Sequence, residues 1–417
     1  MKSQRWLVWM MRVAIGAVFI ASGFVKGVDP FGSLYKFREY LTALGMWLPD
    51  SVLLTGVIAL CAFEFMLGIF LALGCYRRGA PRLALALMSF MLILTAWIAF
   101  ADPVSDCGCF GDALVLSNWA TFIKNIVITA GVVYLVKMNL EAPCMVSPYL
   151  QWLAFLGGSA YIVCISLYGY EVQPLVDFRP FPTGSLLAEN YNDADESTNM
   201  TFIYAKGDKR VEVSASDPQP DESEGWTFVE RREKNVEVTG NGSSLQIYSP
   251  DDEEDVTSDI LDNHKSLLIL VPELERVSKS DAWKIERLVA EARDENMVPA
   301  CIVAGSDHAL RIWKDLLDPS VPLYKAEDTV LKMVARGNPA VVLSDNGKIV
   351  WKATMRSLPI EDSKGWIGKY YRDDRDMLRL LSSVLIAWLG LLALASHLRA
   401  FRIPGKRFRK NPVQAEE

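Results

Sequence analysis

An α-helical membrane bundle joined to an outward-facing α/β domain is the fold class the sequence predicts, and three observations predict it. Apolar and polar residues are segregated: residues 6 to 170 and 380 to 396 are mostly apolar, whereas 171 to 375 are polar and acidic. With 51% hydrophobic and 22% charged residues, the chain is too apolar for a simple soluble protein and too charged for a purely membrane one. From residue 265 the polar part alternates short apolar runs with amphipathic segments, the pattern of an α/β domain.

Taken in order, runs of about 20 apolar residues, the length a bilayer requires, fall at roughly 7–27, 51–73, 83–101, 118–136, 150–170 and 377–397. The first runs long, lacks a small-x-small exit and continues into a polytopic pattern, so it is expected to be a span and not a cleaved signal. Lys and Arg near span ends set orientation. Arg5, Arg12, "CYRRGAPR" (75–82), Lys137 and the tail "RAFRIPGKRFRK" share one side if the N-terminus is cytoplasmic. The expectation is a multi-pass protein of a bacterial inner membrane, with both termini cytoplasmic and residues 28–50, 102–117 and 171–375 on the periplasmic side. "FGSLYKFREYLTALGMW" (31–47) reads as an interfacial amphipathic helix that could cover the loop at 102–117.

In the polar region, "EVQPLVDFRPFPTGS" (171–185) reads as an extended linker. The runs "MTFIYA", "RVEVSA", "WTFVE" and "LQIYS" read as short strands of a small sheet. "SLLILV" (266–271) is an apolar strand, and "SDAWKIERLVAEARDEN" (280–296) a helix capped by Ser280 or Asp281. "VPACIVAG" is a strand, and "DHALRIWKDLLD" and "TVLKMVAR" are helices. "GNPAVVLS" and "KIVWKAT" form a hairpin across "DNG". These readings divide the chain into 1–140, four spans; 141–175, a fifth span and its exit; 176–262, a linker with a small β-rich region; 263–372, the α/β domain; and 373–417, a sixth span with a basic tail.

The net charge of −7 sits in acidic runs such as "SPDDEED", and no basic stripe of the kind nucleic acid requires is present. Three histidines lie far from one another and from the cysteines, so no metal site is expected, and no cofactor motif is visible.

Within "DCGCFGD" (106–112) a Cys-x-Cys pair, Cys107 and Cys109, occupies a loop between two spans. A disulfide there closes a very small ring, which favours an oxidising, labile bond. Asp106 and Asp112 would raise the thiol pKa values, and the N-terminus of the following span would lower them. The alternative is a glycine-rich turn with two incidental thiols; Cu(I) ligation is a minority option. Glu64 lies well inside the second span, and an ionisable residue at depth is a functional candidate. It is expected either to pair with Lys124 within the bundle, or to be protonated or bonded to a neighbouring helix while Lys124 snorkels outward. Lys26, beside Asp29, reads as an interfacial anchor.

Two resemblances follow from these residues. The order β-α-β-α-α-β-β with Pro339 opening the hairpin resembles a thioredoxin-like domain, whose cis-proline position Pro339 would occupy. The segment "VPELERVSKSDAW", where that family carries Cys-x-x-Cys, has no cysteine, so the resemblance implies a domain that docks a partner. Residues 6–138 resemble the DoxX/MauE group of four-span membrane proteins. The resemblance rests on "ASGFVKGVDP", "FEFMLGIFLALG", and "DCGCFGD" followed by "NWATFIKN". With two added spans and the α/β domain, the chain looks like an extended DoxX protein of the Bacteroidetes type. The group implies a redox or maturation role, associated for MauE with methylamine utilisation. The expected function is therefore thiol–disulfide redox or maturation of an extracytoplasmic partner, with oxidoreductase-like activity at Cys107 and Cys109 supported by Glu64, Lys124, Asp106 and Asp112. The competing expectations are a non-catalytic scaffold or sensor, and a transporter for which Glu64 alone speaks.

Overall fold

A computed structural model describes residues 2–102, 104, 108–138, 143–188, 200–206, 209–214, 227–233, 244–360, 365–367 and 374–402. It divides into two compact units, Met1–Phe178 with Tyr371–Glu417, and Arg179–Tyr370.

In the first unit α1 (Lys2–Val28) is followed by α2 (Pro30–Ala43), α3 (Asp50–Leu73), α4 (Gly79–Ala101), α5 (Asn118–Met138) and α6 (Gln151–Glu171). Local chemistry sets the breaks. Pro30 opens α2, and Asp29 caps it by accepting from Gly32 N at 3.0 Å. Gly74, at φ +69°, ends α3, with Cys75 N donating back to Phe70 O at 2.9 Å. Antiparallel α1 and α3 cross closely because glycines face backbone. A Cβ at Gly23 would lie 2.5 Å from Phe65 N, and one at Gly68 2.6 Å from Ile20 N.

In the second unit a small antiparallel sheet of β1 (Met200–Lys206), β2 (Lys209–Ser214) and β3 (Thr227–Glu233) has the order β2-β1-β3. Next come α7 (Thr257–Leu261), β4 (Ser266–Val271), α8 (Ala282–Asp294), β5 (Val298–Val303), α9 (Asp307–Leu316), β6 (Leu323–Lys325), α10 (Asp328–Val334), β7 (Ala340–Asp345) and β8 (Lys348–Thr354). They build a mixed sheet of order β6-β5-β4-β7-β8. The β6–β5 and β5–β4 pairs are parallel, and the β4–β7 and β7–β8 pairs antiparallel. Every residue of β4 is buried, as a central strand covered on both faces should be. Asn346 and Gly347, both at positive φ, make the hairpin turn expected from "DNG". The Asn338–Pro339 peptide is cis.

Three expectations for this unit change. "LQIYS" does not join the small sheet: Leu245 and Ile247 are fully buried beside Leu268 and Leu270, and Tyr248 bridges Lys325 of β6. Residues 179–188 are not a free linker, because Phe181 and Leu187 enter the same core and Leu187 N donates to Gly347 O at 2.9 Å. Asp281, one of the two expected cap residues, does hold the N-cap position of α8 but makes no side-chain capping bond; Ser278 instead accepts from Ser280 N and opens a short 3₁₀ turn (Lys279–Asp281) that leads into α8. Because Ile247 is core, Ile247→Ala should cost about 2–5 kcal/mol. Hydrogen exchange of β4 amides in the full-length protein, followed through a urea series, measures that loss.

The chain returns to the first unit as α11 (Asp374–Arg402). It packs on α6 through Tyr161 Oη to Ser382 Oγ (2.8 Å), and Trp388 Nε1 donates to Leu153 O at 3.1 Å. Among the described residues six helices are long and apolar enough to cross a membrane: Arg5–Val28, Asp50–Leu73, Gly79–Ala101, Asn118–Met138, Pro148–Glu171 and Arg375–Leu398. They match the six expected spans. Phe90, Ile93, Phe100, Ile123 and Val127 project outward from α4 and α5, where lipid and not water is the fitting solvent.

Candidate functional site

The loop between α4 and α5 is drawn together at its base. Asn118 Nδ2 donates to Asp102 Oδ1 at 2.7 Å and to the Val104 carbonyl at 3.0 Å. Gly108 (φ +63°) and Gly111 (φ +51°) flank Cys109 and Phe110 in left-handed conformations that favour glycine. Cys109 is half-buried. Cys107 and Asp106 lie outside the described residues, and Asp112 is exposed in the 3₁₀ turn Gly111–Ala113.

α2, the amphipathic helix expected at 31–47, covers this loop. The stem of Lys36 lies where a Cβ on Gly108 would meet its Cγ at 3.2 Å, and Tyr40 and Cys109 both pack against the cluster of Ile98 and Val104. Arg38 fixes α2 to the start of α3 through Asp50, at 3.0 Å.

Beneath Cys109 is a chain of polar groups. Ser22 Oγ is 2.9 Å from the Cys109 carbonyl oxygen and 2.9 Å from Glu64 Oε2. Glu64 Oε2 is 2.5 Å from Lys26 Nζ, and the two residues are 2% and 5% exposed. Ser22 and Lys26, four residues apart, share one face of α1. Their helix reaches Glu64 because the Gly23 contact removes the bulk between α1 and α3. The Ser22 hydroxyl has one proton and two acceptors, so it donates to one of them at a time.

The expected pairing of Glu64 with Lys124 is therefore corrected: Lys26 is the partner. Lys26 is not an interfacial anchor, since the tight α1–α3 crossing encloses it. Lys124 on α5 instead sits 4.5 Å from the centroid of the Phe110 ring, a cation–π contact. The structure nevertheless brings the three candidates together. Ser22, Glu64, Cys109, Phe110, Lys124 and Asn125 line one small, partly open cavity of about 40 Å³, whose other walls are apolar. Asn125 is held there by Thr95 Oγ1 at 3.3 Å.

Ser22, Lys26 and Asn125 were not read as site residues. Two polar groups four apart in an apolar span, Ser22 and Lys26, were the available signal. The arrangement can hold a proton on a buried carboxylate–ammonium pair and link it through one hydroxyl to the backbone of the cysteine loop. Among the described residues no group of three or more His, Cys, Asp or Glu is placed to hold a metal ion.

The second unit offers no comparable thiol. Cys301 is buried in β5, and burial pushes its thiol up to about 12. At the carboxyl ends of β4 and β5, an open cleft is lined by Pro272, Glu273, Glu275, Ala304, Gly305 and Lys332. Glu273 and Asn338 clasp each other through Glu273 N to Asn338 Oδ1 (3.3 Å) and Asn338 Nδ2 to Glu273 O (2.7 Å). Lys332 pairs with Glu273 at 3.0 Å.

No curated protein and no solved structure matches the chain. The stretch from α1 through α5 that carries Ser22, Lys26, Glu64 and Cys109, residues 4–138, matches the family model described as Methylamine utilisation protein MauE.

Proposed function

We propose that the protein is a DoxX/MauE-type membrane protein that carries out thiol–disulfide redox or maturation chemistry for an extracytoplasmic partner. Cys107 and Cys109 are the exchanging thiols. The observation that carries the reading is the Ser22 bridge, which ties the Cys109 backbone to the buried Lys26–Glu64 pair. In this reading the pair holds a proton close to a loop whose thiols must gain and lose one as the disulfide opens and closes. Lys124, on the opposite wall of the cavity, adds positive charge that favours a thiolate. The family description suggests methylamine utilisation as the setting.

The α/β domain is thioredoxin-like in this proposal; its strand order supports that reading. Its cleft holds paired charges where an exchanging domain holds thiols, so it docks the client and does no redox chemistry. The proposed setting is a bacterial inner membrane with cytoplasmic termini and a periplasmic domain. The cysteine-free cleft also favours a second reading, a non-catalytic scaffold or sensor in which the Cys pair is structural.

Labelling in intact cells with a membrane-impermeant maleimide separates the two, in a chain that keeps only Cys107 and Cys109. Labelling that appears only after mild reductant is the expected result, and Cys107→Ser or Cys109→Ser should each reduce client disulfide formation to background. Equal labelling before and after reductant, with client formation intact in both variants, would leave the scaffold.

A further inference from the structure

A second pair of cysteines meets at the end of the bundle away from Cys109. Cys75 directly follows the Gly74 cap of α3, and Cys144 lies shortly before α6. Met145 N donates to Leu73 O at 3.0 Å, which runs the two segments against each other. The thiols of Cys75 and Cys144 are thereby brought close enough for each to act on the proton of the other. Cys75 is wholly buried, whereas Cys144 is partly exposed.

The surroundings are built around Cys144. Gln151 Nε2 donates to Cys144 Sγ at 3.4 Å and to the Val146 carbonyl at 3.2 Å, while its Oε1 accepts from Tyr76 N at 3.0 Å. In the thiol form Cys144 donates to the Val146 carbonyl at 2.8 Å.

Arg12 enters from α1 and is wholly buried. Its Nε donates to Leu71 O at 3.2 Å and its Nη1 to Pro143 O at 2.9 Å, but Nη2 has no hydrogen-bond partner among the described residues. Among the described residues, the ionisable groups acting on Arg12 are Cys144, Cys75 and Arg77. A buried guanidinium needs an anion, and a thiolate at this pair supplies one. Gly74 is what admits the guanidinium, since any Cβ there would overlap Arg12 Nη2.

We propose that Cys75 and Cys144 form a second dithiol–disulfide couple that exchanges with a thiol–disulfide partner at the membrane face opposite Cys109, with Cys144 attacking and Cys75 resolving. The Cys144 thiolate attacks one sulfur of the incoming disulfide and expels the other as a thiolate, leaving a mixed disulfide. Cys75 then gives up its proton, attacks Cys144 Sγ and expels the second thiolate. Two protein thiols are oxidised and one partner disulfide is reduced to two thiols. The Cys75 S–H, the Val146 backbone, Arg12 and Gln151 hold the Cys144 thiol below its ordinary value, while the interaction with Cys144 and burial push Cys75 up. That is the division between an attacking and a resolving thiol.

Full-length protein in membrane vesicles, equilibrated with reduced and oxidised glutathione and mapped by mass spectrometry after acid quench, tests this. A Cys75–Cys144 linked peptide should appear as the oxidised fraction rises. Alkylation of Cys144 should be half-maximal at a pH well below that of an ordinary cysteine thiol. Cys75→Ser should trap glutathione on Cys144 as a mixed disulfide that the unmodified chain does not accumulate. Cys107→Ser/Cys109→Ser should leave all of this intact, which keeps the couple separate from the loop thiols. Absence of the linked peptide at every glutathione ratio, or equal trapping with and without Cys75, would overturn the proposal. Both the linked peptide and the alkylation profile come from the unsubstituted chain, so misfolding of a variant does not blunt the test.

Discussion

Lys26→Met should destabilise the membrane unit by about 3–5 kcal/mol, because it leaves Glu64 as a buried carboxylate with no counter-charge. Glu64→Leu strands Lys26 and should cost a similar amount. The double substitution removes both charges and keeps the volume, and replacing a buried ion pair by apolar groups is often neutral or better. The four proteins form a cycle whose coupling term isolates the pair. Denaturation midpoints in detergent should fall for each single variant and recover in the double one. Strictly additive losses would mean that the 2.5 Å contact contributes nothing. The double variant also separates structure from chemistry: if the pair serves the cysteine loop, it should fold normally and exchange disulfides slowly.

Much of this architecture was legible in the sequence. Hydropathy runs located the six spans because lipid imposes length and apolarity residue by residue. Strands and helices around 266–354 followed from alternation, and the hairpin from "DNG". The helix was legible in the 31–47 pattern, although its place over Gly108 was not, because amphipathicity names no partner. What failed were questions of register between distant segments. Glu64 was given Lys124 because both were placed by depth alone, and depth does not say which helix lies alongside. Positions of Gly23 and Gly68 decide that, by allowing α1 and α3 to touch at backbone distance. Cys75 and Cys144 escaped notice for the same reason, being far apart in sequence and joined only by the fold. "LQIYS" was placed in the wrong sheet because a short alternating run carries no label for its partner. β6 was missed because three half-buried residues after Pro322 give no periodicity to read.

The α1–α3 crossing gives the second large effect. Gly23→Leu should cost about 1–3 kcal/mol through overpacking and should also uncouple Lys26 from Glu64. The Cβ alone would meet Phe65 N at 2.5 Å, Cys61 O at 2.8 Å and Phe65 Cα at 2.9 Å. These are backbone atoms that cannot rotate aside, so the helices must part by about 1 Å to restore ordinary contact at 3.5–4.0 Å. A shift of that size at Gly23 is felt one turn away at Lys26, whose 2.5 Å approach to Glu64 depends on the same crossing. Gly56, also on α3, has nothing within 4 Å of its Cβ position and is the control. Gly56→Ala should be neutral or gain up to about 1 kcal/mol from helix propensity. Repeating the Lys26/Glu64 cycle in each glycine background reads the geometry directly. The coupling should persist with Gly56→Ala and collapse with Gly23→Leu. If it survived in both, Lys26 would be reaching Glu64 by the length of its own side chain, and the glycines would owe their place in α1 and α3 to packing alone.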